Sequence, residues 1–189
     1  MSHPKYRMDG KGLVMPPITI VFIATGLIVW LNALYFLGVG ADQKEGGSNP
    51  LVSIGNATLV VGLLNLVQAV YIMWARPLDD ASVVLAGLVT FYGLFFVVLG
   101  KTEVNGWDLR VVGNLAVPTA ILPLFWWDFF AGSWMFQSIL IVWLVAFGSV
   151  ALTTYGKLEA KLLGAILAVT AIYTFWVPAL ILATGNDIP

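Results

Sequence analysis

The sequence has no cysteine, a single histidine (His3), and charged side chains at only 10% of its 189 positions. Without cysteine there is no disulfide framework, no thiolate metal ligand, no iron–sulfur cluster and no thiol nucleophile. One histidine, set in the N-terminal tail, removes His-pair haem ligation and most metal chemistry, so no cofactor is expected. Nine Lys and Arg against ten Asp and Glu leave a net charge of −1. That balance lacks the basic face that phosphate backbones require, and nucleic acid is not an expected partner. Soluble domains carry about 25% charged residues. This chain is 60% hydrophobic with a mean hydropathy of +0.93, which points to an integral membrane protein.

A charge facing lipid is costly, so membrane spans show as charge-free windows. Six are present, at 12–41, 46–75, 81–100, 111–127, 129–156 and 162–186, against the roughly 17–25 apolar residues that a crossing helix needs. Trimmed of polar and Gly/Pro-rich ends, they predict helices near 17–39, 51–75, 81–100, 111–128, 134–153 and 161–184, the fourth being the shortest. The runs are continuous, not alternating, so helices and not barrel strands satisfy the backbone. The predicted fold class is therefore an all-α membrane protein: six transmembrane helices in a compact bundle, preceded by a tail over 1–16 and followed by one over 186–189. Linkers are short, at 39–50, 76–80 and 101–110, and no internal repeat is apparent. The first run is too long for a signal-peptide core and five more spans follow it.

Lys and Arg favour cytoplasmic loops. The loops after the odd helices carry Lys44, Lys101, Arg110, Lys157 and Lys161; the opposite side carries Lys5, Arg7, Lys11 and Arg76. Five against four is nearly balanced, but discounting the tail leaves five against one, with both termini outside. Met15 directly precedes the first span. Translation starting there would give that clean bias, and intact-mass measurement of natively expressed protein would exclude it by finding residues 1–14.

Inside the predicted spans no Asp, Glu, Lys, Arg or His occupies a core position; Asp128 and Lys161 stand at edges. A proton relay needs an intramembrane carboxylate or histidine, a retinal protein needs a buried lysine, and a voltage sensor needs arginines in a span. The polar residues that remain are neutral: Asn32, Asn56, Asn65, Gln68, Asn114, Gln137, Ser138, Thr170 and Thr174. Such groups can replace part of the water shell of an uncharged polar solute, or hydrogen-bond between helices as packing glue. Trp74, Trp107, Trp126, Trp127 and Trp134 fall near span ends, where an interfacial belt is the common role. Trp30, Trp143 and Trp176 fall well inside, where pore lining and packing are both open readings. Ala160, Gly164 and Ala168 form a small-residue stripe that reads as a close helix contact. Pro118, Pro123 and Pro178 kink helices or free carbonyls.

Trp143-Leu144-Val145-Ala146-Phe147, followed by Thr174-Phe175-Trp176-Val177-Pro178-Ala179, resembles the paired signatures of the AmiS/UreI family of urea channels and short-chain amide transporters. Val117-Pro118-Thr119-Ala120-Ile121 after Asn114, the preceding Gly106-Trp107-Asp108 with Arg110, and Asn32 and Asn56 fit the same pattern, which covers about 17–185. The resemblance implies six-helix protomers with termini outside, arranged in hexameric rings, each with its own pore. It carries pore-lining or substrate roles onto Trp143, Phe147, Thr174 and Trp176, with Tyr92 and Phe95 as further candidates on the third helix. Thr170 stands about where acid-activated urea channels have a glutamate, and their histidine- and carboxylate-rich outer loops are missing. Acid gating is accordingly not expected.

The resulting expectation is a passive channel for small uncharged amides (urea, acetamide, formamide) in the bacterial inner membrane, without cofactor and not an enzyme. Its pore lining would comprise Trp143, Phe147, Trp176, Thr174, Thr170, Asn32, Asn114, Tyr92 and Phe95. Its partners would be the amide solute, the lipid bilayer and further copies of itself. The alternative from another class is a noncatalytic membrane scaffold or accessory subunit. With no titratable group in a span core, flux should follow the solute gradient and vary little between about pH 5 and 8.

Overall fold

The computed structural model describes residues 16–43, 45–47 and 49–189. His3, Lys5, Arg7, Lys11, Met15 and Lys44 lie outside them. Six helical segments follow in order: α1 Ile18–Phe36, α2 Pro50–Ala75, α3 Ala81–Asn105, α4 Arg110–Ile121 with a 3-10 extension Leu122–Trp126, α5 Trp134–Thr154 and α6 Ala160–Ala183. Five are long and apolar enough to cross a membrane, and Arg110–Trp126 is the shorter apolar helix among them.

Local chemistry sets several ends. Asn49 caps α2 by accepting the Leu51 N–H at 2.9 Å, with Pro50 in the first turn, where its missing N–H costs nothing. Ser133 caps α5 through the Phe136 N–H at 3.1 Å. Three boundaries differ from those expected. α1 stops at Phe36 and not near 39 because the chain turns at Gly38 and Gly40 with positive φ. α4 loses its α geometry after Ile121, where Pro118 and Pro123 remove backbone donors, and its 3-10 turn ends at Trp126.

The third difference matters most. α3 runs to Asn105, five residues beyond the charge-free window, and stops only where Gly106 adopts φ 63°. Thr102 and Asn105 return their side-chain donors to Val98 and Lys101 carbonyls one turn back, so polar residues continue the helix. The extension carries Glu103 into the interior with 3% of its surface exposed. The expectation of spans free of buried ionisable groups fails at this one position. Its consequence, a pH-insensitive flux, loses its premise there.

Helices adjacent in sequence are adjacent in space, and α1 also packs on α6, so the six close into a ring. The outside of the ring is apolar: Val60, Val67, Val169 and Leu180 are exposed, the surface a bilayer would cover. Between α2 and α3 the backbones nearly touch. A Cβ at Gly100 would stand 2.4 Å from the Leu59 nitrogen, and one at Gly62 would stand 2.6 Å from the Val97 nitrogen. The small-residue stripe on α6 makes its close contact at Gly164, where a Cβ would meet the Ala33 carbonyl oxygen at 2.9 Å.

Candidate functional site

The ring encloses two cavities, one at each end. The first, about 500 Å³, opens at the end formed by the start of α1, the α2–α3 turn and the end of α6; Thr25, Asn65, Tyr92 and Leu140 line its depth. The second, about 340 Å³, opens at the opposite end among the start of α6 and the ends of α1, α3 and α5, with Asn32, Phe95, Glu103, Phe147 and Thr170 in its lining. Trp143 and Phe175 line both, so the two cavities meet the opposite faces of one aromatic wall.

The wall is built from three helices. Tyr92 and Phe95 lie on one face of α3 at helical spacing, and Trp143 and Phe147 are one turn apart on α5. Their rings interlock: Tyr92 meets Trp143 edge-on at 4.6 Å between centroids and stacks on Phe147 at 5.3 Å, while Phe95 meets Phe147 edge-on at 4.8 Å. From α6, Phe175 stacks on Trp143 at 5.7 Å. Such contacts each add roughly 0.5–1.5 kcal/mol beyond burial, so the rings hold one another in place.

A hydrogen-bond relay fixes the central ring. The Trp143 indole N–H donates to Thr174 Oγ1 at 3.0 Å, and the Thr174 hydroxyl donates to the Thr170 carbonyl at 2.8 Å. Thr174 is fully buried behind Trp143 and orients it. The cavity-facing residue is its neighbour, because α6 widens into a π-turn over Ala171–Trp176. A regular α-helix would continue the inward stripe of Leu163, Leu167 and Thr170 to position 174; the extra residue of the π-turn advances it to Phe175. Pro178 lies just beyond and supplies no backbone donor to the preceding turn.

The structure therefore brings together six of the nine expected site residues at the wall and its cavities: Tyr92, Phe95, Trp143, Phe147, Asn32 and Thr170. Thr174 stands behind the wall. Trp176 faces α1, its ring 5.5 Å from Trp30 and its indole nitrogen against Gly26, which leaves no room for a Cβ. Asn114 is exposed, lines neither cavity, and accepts the Tyr155 hydroxyl proton. Asn56 donates to its own helix at the Val52 carbonyl.

Three site residues were not among those expected. Phe175 is hidden by the π-turn. Glu103 follows Tyr92, Phe95 and Leu99 at helical spacing and becomes visible once α3 is extended. Asn65 donates to Thr25 at 2.9 Å across α1 and α2, leaving its carbonyl oxygen without a partner beside the first cavity.

Buried polar atoms without a hydrogen bond to described residues concentrate at these cavities: Asn65 Oδ1 and Tyr92 Oη at the first, Glu103 Oε2 and Thr153 Oγ1 at the second. Native interiors leave few such atoms, which makes these four the groups there with hydrogen-bonding capacity to spare. The wall itself carries no charged side chain, and the described residues contain no group of three metal-ligating side chains.

The sequence pattern of the AmiS/UreI family transporters matches residues 18–186. The chain belongs to the AmiS/UreI transporter family. Two solved structures share its fold at 17% identity. The crystal structure of the urea channel from Helicobacter pylori superposes with a TM-score of 0.72 over 87% of this chain and 96% of that one. The cryo-electron microscopy structure of the H. pylori urea channel in a closed state superposes with 0.75 over 90% and 100%. No curated protein sequence matches the chain. As an AmiS/UreI protein it is a multi-pass helical membrane transporter, not an enzyme.

Proposed function

We propose that this AmiS/UreI protein is a passive channel for urea and short aliphatic amides, each protomer holding its own path. The observation that carries the reading is the uncharged aromatic wall standing between two cavities that open at opposite ends. An ion crossing it would lose its hydration with no fixed charge to replace it, whereas a small neutral amide loses far less. The polar atoms flanking the wall, Asn65 and Tyr92 on one side and Asn32, Thr170 and Glu103 on the other, take over part of the solute's water shell. Trp143, Phe147, Tyr92, Phe95 and Phe175 set the width. The H. pylori neighbours, described as urea channels, support the solute class.

The protomers assemble into a homo-oligomeric ring, hexameric by family resemblance, in the bacterial inner membrane, with the termini outside. The charge pattern of the described loops supports that orientation: Lys101, Arg110, Lys157 and Lys161 lie at one end and Arg76 at the other. Stopped-flow light scattering of proteoliposomes with urea, formamide, acetamide and glycerol tests the reading. Amide flux above that of protein-free liposomes, without uphill accumulation under a proton gradient, is expected. Absence of flux for every solute, with fixed-stoichiometry co-purification of another protein, would replace it with the scaffold reading.

A further inference from the structure

The second cavity is lined by a buried carboxyl group with no ion-pair partner among the described residues. Glu103 lies on the inward face of α3, nearly fully buried, one turn beyond Leu99, and its Oε2 makes no hydrogen bond to any described residue. No described residue forms a salt bridge with it. Its stem is held against α2: a Cβ at Gly55 would stand 2.7 Å from the Glu103 Cβ and 2.9 Å from the Val104 nitrogen. Only a glycine at 55 lets the Glu103 stem lie there.

The side chains beside Glu103 on α1 and α2 have their donors in use. The Thr58 hydroxyl stands beside its carboxyl. Thr58 Oγ1 itself accepts from Asn32 Nδ2 at 3.3 Å, and the same Asn32 nitrogen donates to the Ile28 carbonyl at 3.0 Å. Both amide protons of Asn32 are thereby committed, so what Asn32 offers the cavity is its carbonyl oxygen. Glu103 and Asn32 both line this cavity, and each has an acceptor oxygen without a hydrogen bond to a described residue, Glu103 Oε2 and Asn32 Oδ1; the unpartnered Thr153 hydroxyl lines the cavity as well.

We propose that Glu103 and Asn32 form a binding site for the N–H groups of the permeating amide, and so help determine which neutral solutes enter the wall from this cavity. This deepens the channel reading and rests on it for the identity of the solute. A molecule with a carbonyl but no N–H has nothing to give these two oxygens, whereas urea and primary amides place donors against both.

The chain contains three glutamates, Glu45, Glu103 and Glu159, so carbon-13 labelling of the glutamate carboxyl carbon gives a short spectrum in which Glu103→Gln identifies the Glu103 resonance. In the purified full-length protein, that resonance should move on addition of acetamide and stay in place with tetramethylurea, which has no N–H. In proteoliposomes, Glu103→Leu should lower urea and acetamide flux about tenfold, the scale of one hydrogen bond, and Glu103→Gln, which keeps a carbonyl acceptor and the shape, should lower it less. A resonance indifferent to acetamide, or equally shifted by tetramethylurea, overturns the site, as does wild-type amide flux through Glu103→Gln and Glu103→Leu alike. A responding resonance in a protein without measurable flux would keep the site and overturn the channel reading alone.

Discussion

The seam between α2 and α3 and the seam between α5 and α6 solve opposite problems in one ring. Along the first, Gly55 faces Gly100 and Gly62 faces Gly93 and Val97, and backbone lies against backbone with no volume left over. Along the second, Trp143 and Phe147 face Phe175, Thr170 and Thr174, and large rings hold the helices apart. In a membrane, helix association is driven by van der Waals contact and hydrogen bonding, since lipid tails are as apolar as the side chains they replace. The glycine seam maximises contact and stiffens one wall. The aromatic seam gives up contact to create space, and one hydrogen bond then holds the ring that fills it.

The largest test of that contrast is Gly100→Val, which drives a branched side chain into the Leu59 nitrogen and the Gly55 carbonyl oxygen. A clash with backbone cannot be relieved by a rotamer change. Destabilisation above about 4 kcal/mol is expected, seen as loss of the folded peak in size-exclusion chromatography. Gly148→Ala is the control: nothing lies within 4 Å of its Cβ position, so its stability should not fall, and the helix preference for alanine over glycine should raise it by up to about 1 kcal/mol. Equal effects at the two positions would show that the seam is not what holds α2 to α3.

On the aromatic side, Trp143→Ala should open the wall. It removes the ring shared by both cavities, so discrimination between acetamide and the bulkier glycerol is expected to fall about tenfold, with the oligomer unchanged. Unaltered permeability to every solute in the panel would assign Trp143 to packing alone. A smaller effect is expected for Thr174→Val, which keeps the shape but leaves the indole N–H without its acceptor. About 1–3 kcal/mol of stability should be lost in thermal unfolding, with selectivity weakened in the same direction as for Trp143→Ala, while Thr174→Ser restores both. If valine were tolerated with wild-type selectivity, Trp143 would be held by its neighbours' rings and not by the relay.

The smallest effect lies outside both seams. In the loop before α4, the Arg110 guanidinium hydrogen-bonds Asp108 at 2.8 Å and holds its carboxyl down to about 2. This is below the ordinary value of about 3.9. The pair therefore stabilises the folded state above about pH 4 and loses that contribution as pH falls through about 2. Asp108 is exposed, so Asp108→Asn should lower the melting temperature only slightly at pH 7, with the difference from wild type shrinking as pH falls through that window. A difference independent of pH would mean that the carboxylate's charge is not what matters there.

The six helices were legible because each carries a charge-free run of membrane length, and Tyr92, Phe95, Trp143 and Phe147 because helical spacing puts each pair on one face. The paired glycines were legible too, in retrospect: 55 and 62 on α2 and 93 and 100 on α3 repeat at the same interval, the mark of two antiparallel helices meeting along one line. Glu103 was missed because a window that ends at the first charge also ends the helix, and side chains that bond back to their own turn carry α3 past that point. Thr174 and Trp176 were both assigned to the pore although positions two apart on a helix point about 200° apart, so they could not share one face.

The sequence by itself determined the solvent this protein folds in, the number and order of its helices, and most of the rings at its centre. Those follow from composition and from local periodicity, which act within one helix. Only the tertiary structure decided that Phe175, and not Thr174 or Trp176, faces the cavity, that Thr174 serves Trp143, and that Glu103 turns inward beside Asn32 and Thr58. The physical reason is the same in each case. A single extra residue in a π-turn, or one more helical turn past a lysine, rotates or extends a face by an amount that local patterning does not encode, and packing against the neighbouring helix selects it.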